Sequence, residues 1–154
     1  ALNLIDFVNG LQISLQDLEQ TGKLGYVDGI SRIFVNALKD LDITERPIHC
    51  TDIKRETVYV KDQDRWEIED KDKSKLKNSL RVIEEKNLHL LPEWQEENPN
   101  FKEMDTQENQ DFIQISVNSL GGGSEDEVDK QQDKILKNVL KEVAIEKKKL
   151  KIEN

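Results

Sequence analysis

Residues 55–70 read RETVYVKDQDRWEIED, and this stretch decides the fold class because its apolar residues follow a period of two. Every second position on either side of the turn-forming run DQD is apolar: Val58, Val60, Trp66 and Ile68. Such alternation around a turn predicts a β-hairpin over residues 57–68. A lone hairpin is marginally stable in water, so we expect it to pack on a helix, beside a short strand at residues 48–50.

Helical periodicity surrounds the hairpin, which predicts an α+β fold: a helix-rich single domain with one β-hairpin. Five apolar residues at spacings of four and three begin the chain: Leu4, Val8, Leu11, Leu15 and Leu18. This spacing is typical of a coiled-coil seam, so residues 1–20 are predicted to be the end of a coiled-coil helix. The helix-rich domain is predicted over residues 24–154, with a flexible loop near 121–124 and a C-terminal helix over 125–152. The stretch DFIQISVNSL at 111–120 suits a short helix or a strand, and we favour the helix.

Charge is distributed unevenly along the chain. The 154 residues carry a formal net charge of −9, from 23 basic and 32 acidic side chains. Residues 93–133 contain twelve acidic residues and two lysines, a local net charge of −10. Non-specific nucleic-acid binding depends on lysine and arginine neutralising phosphates, and a field of this sign opposes it.

Cysteine content and hydropathy limit the cellular setting. Cys50 is the only cysteine, so no internal disulfide can form, which fits a reducing compartment. No apolar run approaches the roughly 20 residues that a membrane-spanning helix needs. We therefore expect no membrane insertion.

The segment RPIHCTDIKRETVYVKDQDRW at residues 46–66 concentrates the side chains that could carry chemistry. We predict that these side chains form a structural network of ion pairs and hydrogen bonds that joins the hairpin to a helix. The predicted members of the network are Arg46, His49, Asp52, Arg55 and Trp66.

Metal binding and catalysis are not favoured by this segment. Zinc needs three or four Cys, His or acidic ligands, and the chain has one Cys and two His, so we predict no metal and no cofactor. His49 and Cys50 are adjacent, and on a strand their side chains point to opposite faces, which disfavours a catalytic dyad. A Cys50 nucleophile paired with His89 is sterically conceivable, but no motif marks it, and we predict that the protein is not an enzyme.

A second interpretation makes the hairpin a nucleic-acid contact. A helix followed by a hairpin resembles the wing of a winged-helix domain, whose basic side chains touch phosphates. The candidate contacts are Lys54, Arg55, Lys61 and Arg65. Residues 46–66 have a net charge of only +1, because acidic side chains are interleaved with these bases.

Three blocks of the chain are similar to an uncharacterised C-terminal domain of nucleocytoplasmic large DNA virus proteins. These blocks are RPIHCTDIKRETVYVKDQDRW, LRVIEEKNLHLLPEWQEENP and DKILKNVLKEVAIEKKK. The resemblance spans residues 26–149, and the RPIHCTD block is its most specific part. It implies a viral protein in the host cytoplasm or nucleus, with association with the virion as a further option, and it implies no activity or cofactor.

These observations lead to two functional expectations. The first is a non-enzymatic protein-interaction or scaffolding module that forms a homo-oligomer or binds a viral or host protein. The second is an accessory domain that binds nucleic acid through the hairpin and the C-terminal lysines. The acidic middle of the chain and the missing catalytic constellation favour the first.

Overall fold

The computed structural model describes residues 1–145, and these residues form a helix-rich α+β domain, which confirms the predicted fold class. The N-terminal helices are α1 (Leu4–Asn9), α2 (Leu15–Leu24) and α3 (Tyr26–Lys39). The strands β1 (Ile48–Asp52), β2 (Thr57–Asp62) and β3 (Arg65–Ile68) follow, after a short 3-10 helix at Ile43–Glu45. The later helices are α4 (Ser74–Leu88), α5 (Leu91–Glu97), α6 (Gln107–Asn118) and α7 (Glu125–Glu142), with a second 3-10 helix at Pro99–Lys102.

The three strands form one antiparallel sheet in the order β1-β2-β3. The predicted hairpin is β2 and β3, in which Lys61 is paired with Trp66. The predicted short strand is β1, which pairs with the other edge of β2 through Ile48 and Val60. The alternating apolar side chains of β1 and β2 are buried because they face the main core.

The N-terminal coiled-coil helix predicted over residues 1–20 is not present, and this prediction was wrong. The chain forms two separate helices instead, because α1 ends at Asn9 with Gly10 as its C-cap and α2 begins at Leu15 with Ser14 as its N-cap. The Ser14 hydroxyl accepts a hydrogen bond from the Asp17 amide, and the Asp17 carboxylate accepts one from the Ser14 amide, which is a complete capping box.

The apolar stripe of the N-terminal segment is buried inside the domain rather than displayed to a coiled-coil partner. Leu4 and Val8 belong to the main core, whereas Leu18 belongs to a second cluster with Trp94 and Ile115. Residues 1–20 are therefore part of the domain, which does not begin at residue 24 as predicted. The break between α1 and α2 turns the two halves of the stripe towards different clusters.

Two glycines shape the region where α2 meets its neighbours. Gly22 lies inside α2, and a Cβ atom there would approach Cγ1 of Ile115 to 2.6 Å, so the lack of a side chain allows α2 and α6 to pack closely. Gly25 ends α2 with a φ of 94°, a conformation that favours glycine. The chain then turns directly into α3.

The C-terminal helix is shorter than predicted. The stretch 111–120 is largely helical, as favoured, and the predicted loop near 121–124 is irregular between α6 and α7. Helix α7 ends at Glu142 rather than at 152, because the chain then runs beside β1. The Cys50 amide donates to the Val143 carbonyl at 3.0 Å, and the Ile145 amide donates to the Cys50 carbonyl at 2.9 Å. The rest of the predicted helix, residues 146–152, lies outside the described residues.

Candidate functional site

Arg46 is the first residue of the RPIHCTD segment, and its guanidinium contacts the C-terminal ends of α3 and α7. Its Nε donates to the Leu38 carbonyl at 3.1 Å, and its Nη1 donates to the Glu142 carbonyl at 3.0 Å. Its Nη2 lies 3.4 Å from the Glu142 carboxylate. Carbonyls in the last turn of a helix lack the usual partner within the helix. Arg46 supplies a donor to one such carbonyl on α7 and a second donor to one on α3, where the Leu38 carbonyl also accepts from the Leu41 amide at 3.1 Å.

Within residues 1–145, the contacts described for the other predicted members do not include Arg46. The His49 ring stacks on Trp66 with ring centroids 5.0 Å apart. Asp52 forms a separate contact with Arg55, whose amide donates to the carboxylate at 3.1 Å. Side chains alternate along β1, so His49 lies on the sheet face opposite the main core. Asp52 is the last residue of β1, and Arg46 lies before its first residue.

Cys50 is 1% exposed and packs in the main core, on the opposite face of the sheet from His49. Burial raises the pKa of its thiol, which disfavours the nucleophilic thiolate. His89 is exposed at the end of α4. The environment of Cys50 is that of a small apolar core residue.

The sheet separates the four basic residues that were predicted to contact nucleic acid. Lys54 and Arg55 lie in the loop between β1 and β2, whereas Arg65 begins β3 after the turn at the other end of β2. Six residues of strand span roughly 20 Å, so these residues do not form one compact patch. Lys61 donates from Nζ to the Ala1 carbonyl at 2.8 Å. The nucleic-acid interpretation stays a prediction.

A buried polar cluster that sequence reasoning missed lies between α3, α4 and α7. The Tyr26 hydroxyl donates to the Glu84 carboxylate, and Nε2 of Gln132 lies 3.4 Å from the same carboxylate oxygen. Burial raises the pKa of Glu84, and the two donors oppose this shift only in part. Burial and the adjacent carboxylate also raise the pKa of Tyr26. No sequence pattern connects these three residues, which come together only through helix packing.

Four exposed apolar side chains lie on and beside α6, and we call them the α6 ridge. It consists of Leu24, Ile113, Val117 and Leu120, which are 47%, 53%, 62% and 57% exposed. Ile113 and Val117 are one helical turn apart on α6, and three members of the ridge line a shallow groove of about 630 Å³. The sequence held a signal for this ridge, because residues 112–124 are the longest stretch of the chain without a charged side chain.

Within residues 1–145, no cluster of three or more His, Cys, Asp or Glu side chains is placed to hold a metal ion. The described helices include none with the length and hydropathy needed to cross a membrane.

The chain was compared with known proteins at the levels of family, sequence and structure. No family model, curated protein or solved structure matches it. The resemblance to a domain of large DNA virus proteins therefore stays a prediction, and the functional argument rests on the surfaces of this chain.

Proposed function

We propose that this chain is a non-enzymatic protein-interaction and scaffolding module that self-associates through the α6 ridge. The observation that carries the proposal is the exposure of four large apolar side chains, three of which line one groove while the fourth, Ile113, is one helical turn from Val117. Scattered exposed apolar residues are normal on soluble proteins, whereas contiguous patches commonly mark interaction sites. Burial of the ridge against a partner would remove its apolar surface from water, which is the main favourable term in protein association.

The charge pattern favours a second copy of the chain as the partner on the ridge. Residues 112–124 carry no charge, although the surrounding stretch 93–133 has a net charge of −10. Two copies that meet through α6 therefore place neutral groups against each other at the centre and keep their acidic side chains at the rim. A two-fold arrangement uses the same patch on both copies, so an axis that passes near Val117 places this residue beside Val117 of the other copy.

The size of the ridge sets the expected strength of the association. A stable interface buries about 800 Å² on each partner, of which somewhat more than half is apolar. Helix α6 has 12 residues, a length of roughly 18 Å, so the ridge supplies the apolar centre of a small interface. We expect a reversible dimer whose population depends on protein concentration.

The proposed setting follows from the resemblance to a domain of large DNA virus proteins. A scaffolding module of such a protein would act in the host cytoplasm or nucleus, or in the virion. This setting is independent of the ridge, because self-association can be measured on the isolated chain.

Sedimentation equilibrium of the chain from low micromolar to near-millimolar concentration tests the proposal. We expect the wild type to dimerise and Ile113→Gln to weaken the dimer at least about tenfold, since the change places a polar group in the apolar centre. Ile68→Gln is the matched control, because Ile68 on β3 is 64% exposed and lies outside the ridge.

A cysteine variant tests the two-fold geometry directly. The native Cys50 is 1% exposed, so Val117→Cys introduces the one accessible thiol among residues 1–145. We expect mild oxidation to trap a disulfide-linked dimer of Val117→Cys and not of Ile68→Cys. A wild type that stays monomeric throughout the concentration range, or equal effects of the glutamine changes at Ile113 and Ile68, would refute self-association through the ridge.

A further inference from the structure

A second groove lies on another surface, between α3 and the turn that joins α1 to α2, and we call it the α3 groove. It has a volume of about 500 Å³. One wall consists of Ala37 on α3 and Leu41 just beyond this helix, and the opposite wall consists of Leu11 and Ile13. The groove shares no lining residue with the α6 ridge.

The floor of the α3 groove is apolar and continuous with the main core. Phe7 and Ile33 line the groove and are buried core residues. The wall residues Leu11, Ile13, Ala37 and Leu41 are partly buried and pack against the same core. A ligand with an apolar face would therefore extend the hydrophobic core of the protein outward.

The turn that forms one wall of the groove is held in place before any ligand arrives. Nζ of Lys86 donates to the Asn9 carbonyl at 2.5 Å and to the Leu11 carbonyl at 3.0 Å. The Ser14 capping box fixes the chain at the other end of the turn. Because these contacts order the wall in the free protein, little conformational entropy remains to be lost on binding.

The charged side chains that line the groove all have the same sign. Asp6, Asp17 and Asp40 line it, and no lysine or arginine does. Asp17 is paired with Arg32 at 2.8 Å, whereas Asp6 and Asp40 form no ion pair within residues 1–145. The groove is therefore an apolar channel with uncompensated negative charge at its rim, a combination that a ligand with an apolar face and positive flanks would complement.

We propose that the α3 groove binds a basic amphipathic helix of a partner protein. The apolar face of this helix would lie on Phe7 and Ile33, and its lysine or arginine flanks would meet Asp6 and Asp40. Along α3, the groove extends from Ile33 to the end of the helix at Lys39, a rise of roughly 9 Å, which accommodates two apolar anchors four residues apart. The inference shares with the proposed function only the expectation of a protein partner, and it concerns a different surface.

Other classes of ligand fit the groove less well. Nucleic acid and anionic lipid surfaces carry negative charge, which the uncompensated carboxylates of Asp6 and Asp40 would repel. A second copy of this chain carries a net charge of −9, so it does not supply a strongly basic surface. A basic helix is the class that matches both the apolar floor and the acidic rim.

The test uses a synthetic amphipathic helix of about four turns, with leucine on one face and lysine on its flanks. Methyl NMR spectra of the full chain, recorded during titration at physiological salt, locate the bound peptide. We expect shifts at Leu11, Ile13, Ile33 and Leu41, with the ridge methyls of Ile113 and Val117 unchanged. A peptide with glutamate in place of every lysine should not bind.

A charge-reversal variant separates groove binding from general attraction to an acidic protein. Asp40→Lys changes an exposed rim residue and should weaken binding at least about tenfold. Glu103→Lys is the matched control, because it makes the same change in net charge at an exposed residue outside the groove. A folded Ala37→Trp variant, checked by circular dichroism, should also bind weakly because the indole fills the channel.

The possible results distinguish this inference from the proposed function. Groove-localised shifts and a selective effect of Asp40→Lys support the inference. Equal weakening by Asp40→Lys and Glu103→Lys, shifts at the ridge, or the absence of binding would overturn it. None of these results changes the expected dimerisation through the ridge, which is measured without peptide.

Discussion

Replacing Arg46 with alanine should destabilise the protein strongly, because one buried guanidinium joins the end of α3 to the end of α7. The side chain is 10% exposed and donates to the backbone carbonyls of Leu38 and Glu142. Arg46→Ala removes both donors. The Glu142 carbonyl then loses the donor described for it, whereas the Leu38 carbonyl keeps the Leu41 amide at 3.1 Å and loses its second hydrogen bond. The Glu142 carboxylate also loses a cationic neighbour.

The magnitude follows from the two backbone contacts. A hydrogen bond from a charged donor contributes about 1.5–3 kcal/mol, and the Glu142 ion pair adds less because that side chain is 23% exposed. We expect a loss of about 3–4 kcal/mol, which is a large part of the 5–15 kcal/mol typical of a folded domain. The melting temperature should fall by roughly 10 °C for a chain of this length.

Urea unfolding followed by circular dichroism measures this loss. Arg55→Ala is the matched control from the same segment, because its side chain is 86% exposed and its contact with Asp52 is long, so it should change stability by less than about 0.5 kcal/mol. Arg46→Lys keeps the charge but not the planar fork, and should give an intermediate loss. A loss below about 1 kcal/mol for Arg46→Ala would refute the role assigned to its hydrogen bonds.

Glu84, Gly22 and Cys50 lie where elements of the fold pack together, and each can be tested separately. Burial raises the pKa of Glu84, so its contribution to the free energy of unfolding is present below the unfolded pKa near 4.5 and is lost as pH rises through the folded pKa. Glu84→Gln should therefore flatten the dependence of the free energy of unfolding on pH in this range. Parallel dependences for the wild type and the variant would contradict this prediction. Gly22→Leu should lower the free energy of unfolding by about 1–3 kcal/mol, seen as a lower urea midpoint, because the new side chain meets Ile115. An unchanged midpoint would show that α2 and α6 separate without cost. Cys50 should resist alkylation by iodoacetamide in the native protein and react only in denaturant, as measured by mass spectrometry. Rapid alkylation of the Cys50 thiol in the native protein would contradict its burial.

The hairpin was predictable because its signal is local. A period of two on both sides of a turn indicates two strands and places the apolar side chains of each strand on one face of that strand. The pairing of Lys61 with Trp66 then puts Trp66 and Ile68 on the sheet face opposite Val58 and Val60, which the alternation alone does not show. The N-terminal stripe was predicted wrongly because spacing alone does not identify the surface that covers it. Gly10 and the capping residues Ser14 and Asp17 were the local signals for the break. The same spacing served two clusters in one domain rather than one seam between two chains.

Two of the predicted site residues, Arg46 and Asp52, have polar partners in the structure, but the sequence could not show that these partners are different. Arg46 contacts Glu142, which is 96 residues away, whereas Asp52 contacts its neighbour Arg55. Contacts between distant residues depend on how the elements pack, and a single sequence carries no direct signal for them.

The sequence by itself determined the helix-rich α+β class, the hairpin, the loop before the last helix and the acidic character of the middle of the chain. These properties depend on short-range periodicity, turn chemistry and composition, which act within a few residues. Only the tertiary structure decided the buried position of Arg46, the Tyr26–Glu84 contact, the α6 ridge and the α3 groove. Each of these requires several elements to meet in space, and the free energy that brings them together comes from burying apolar surface shared among them all.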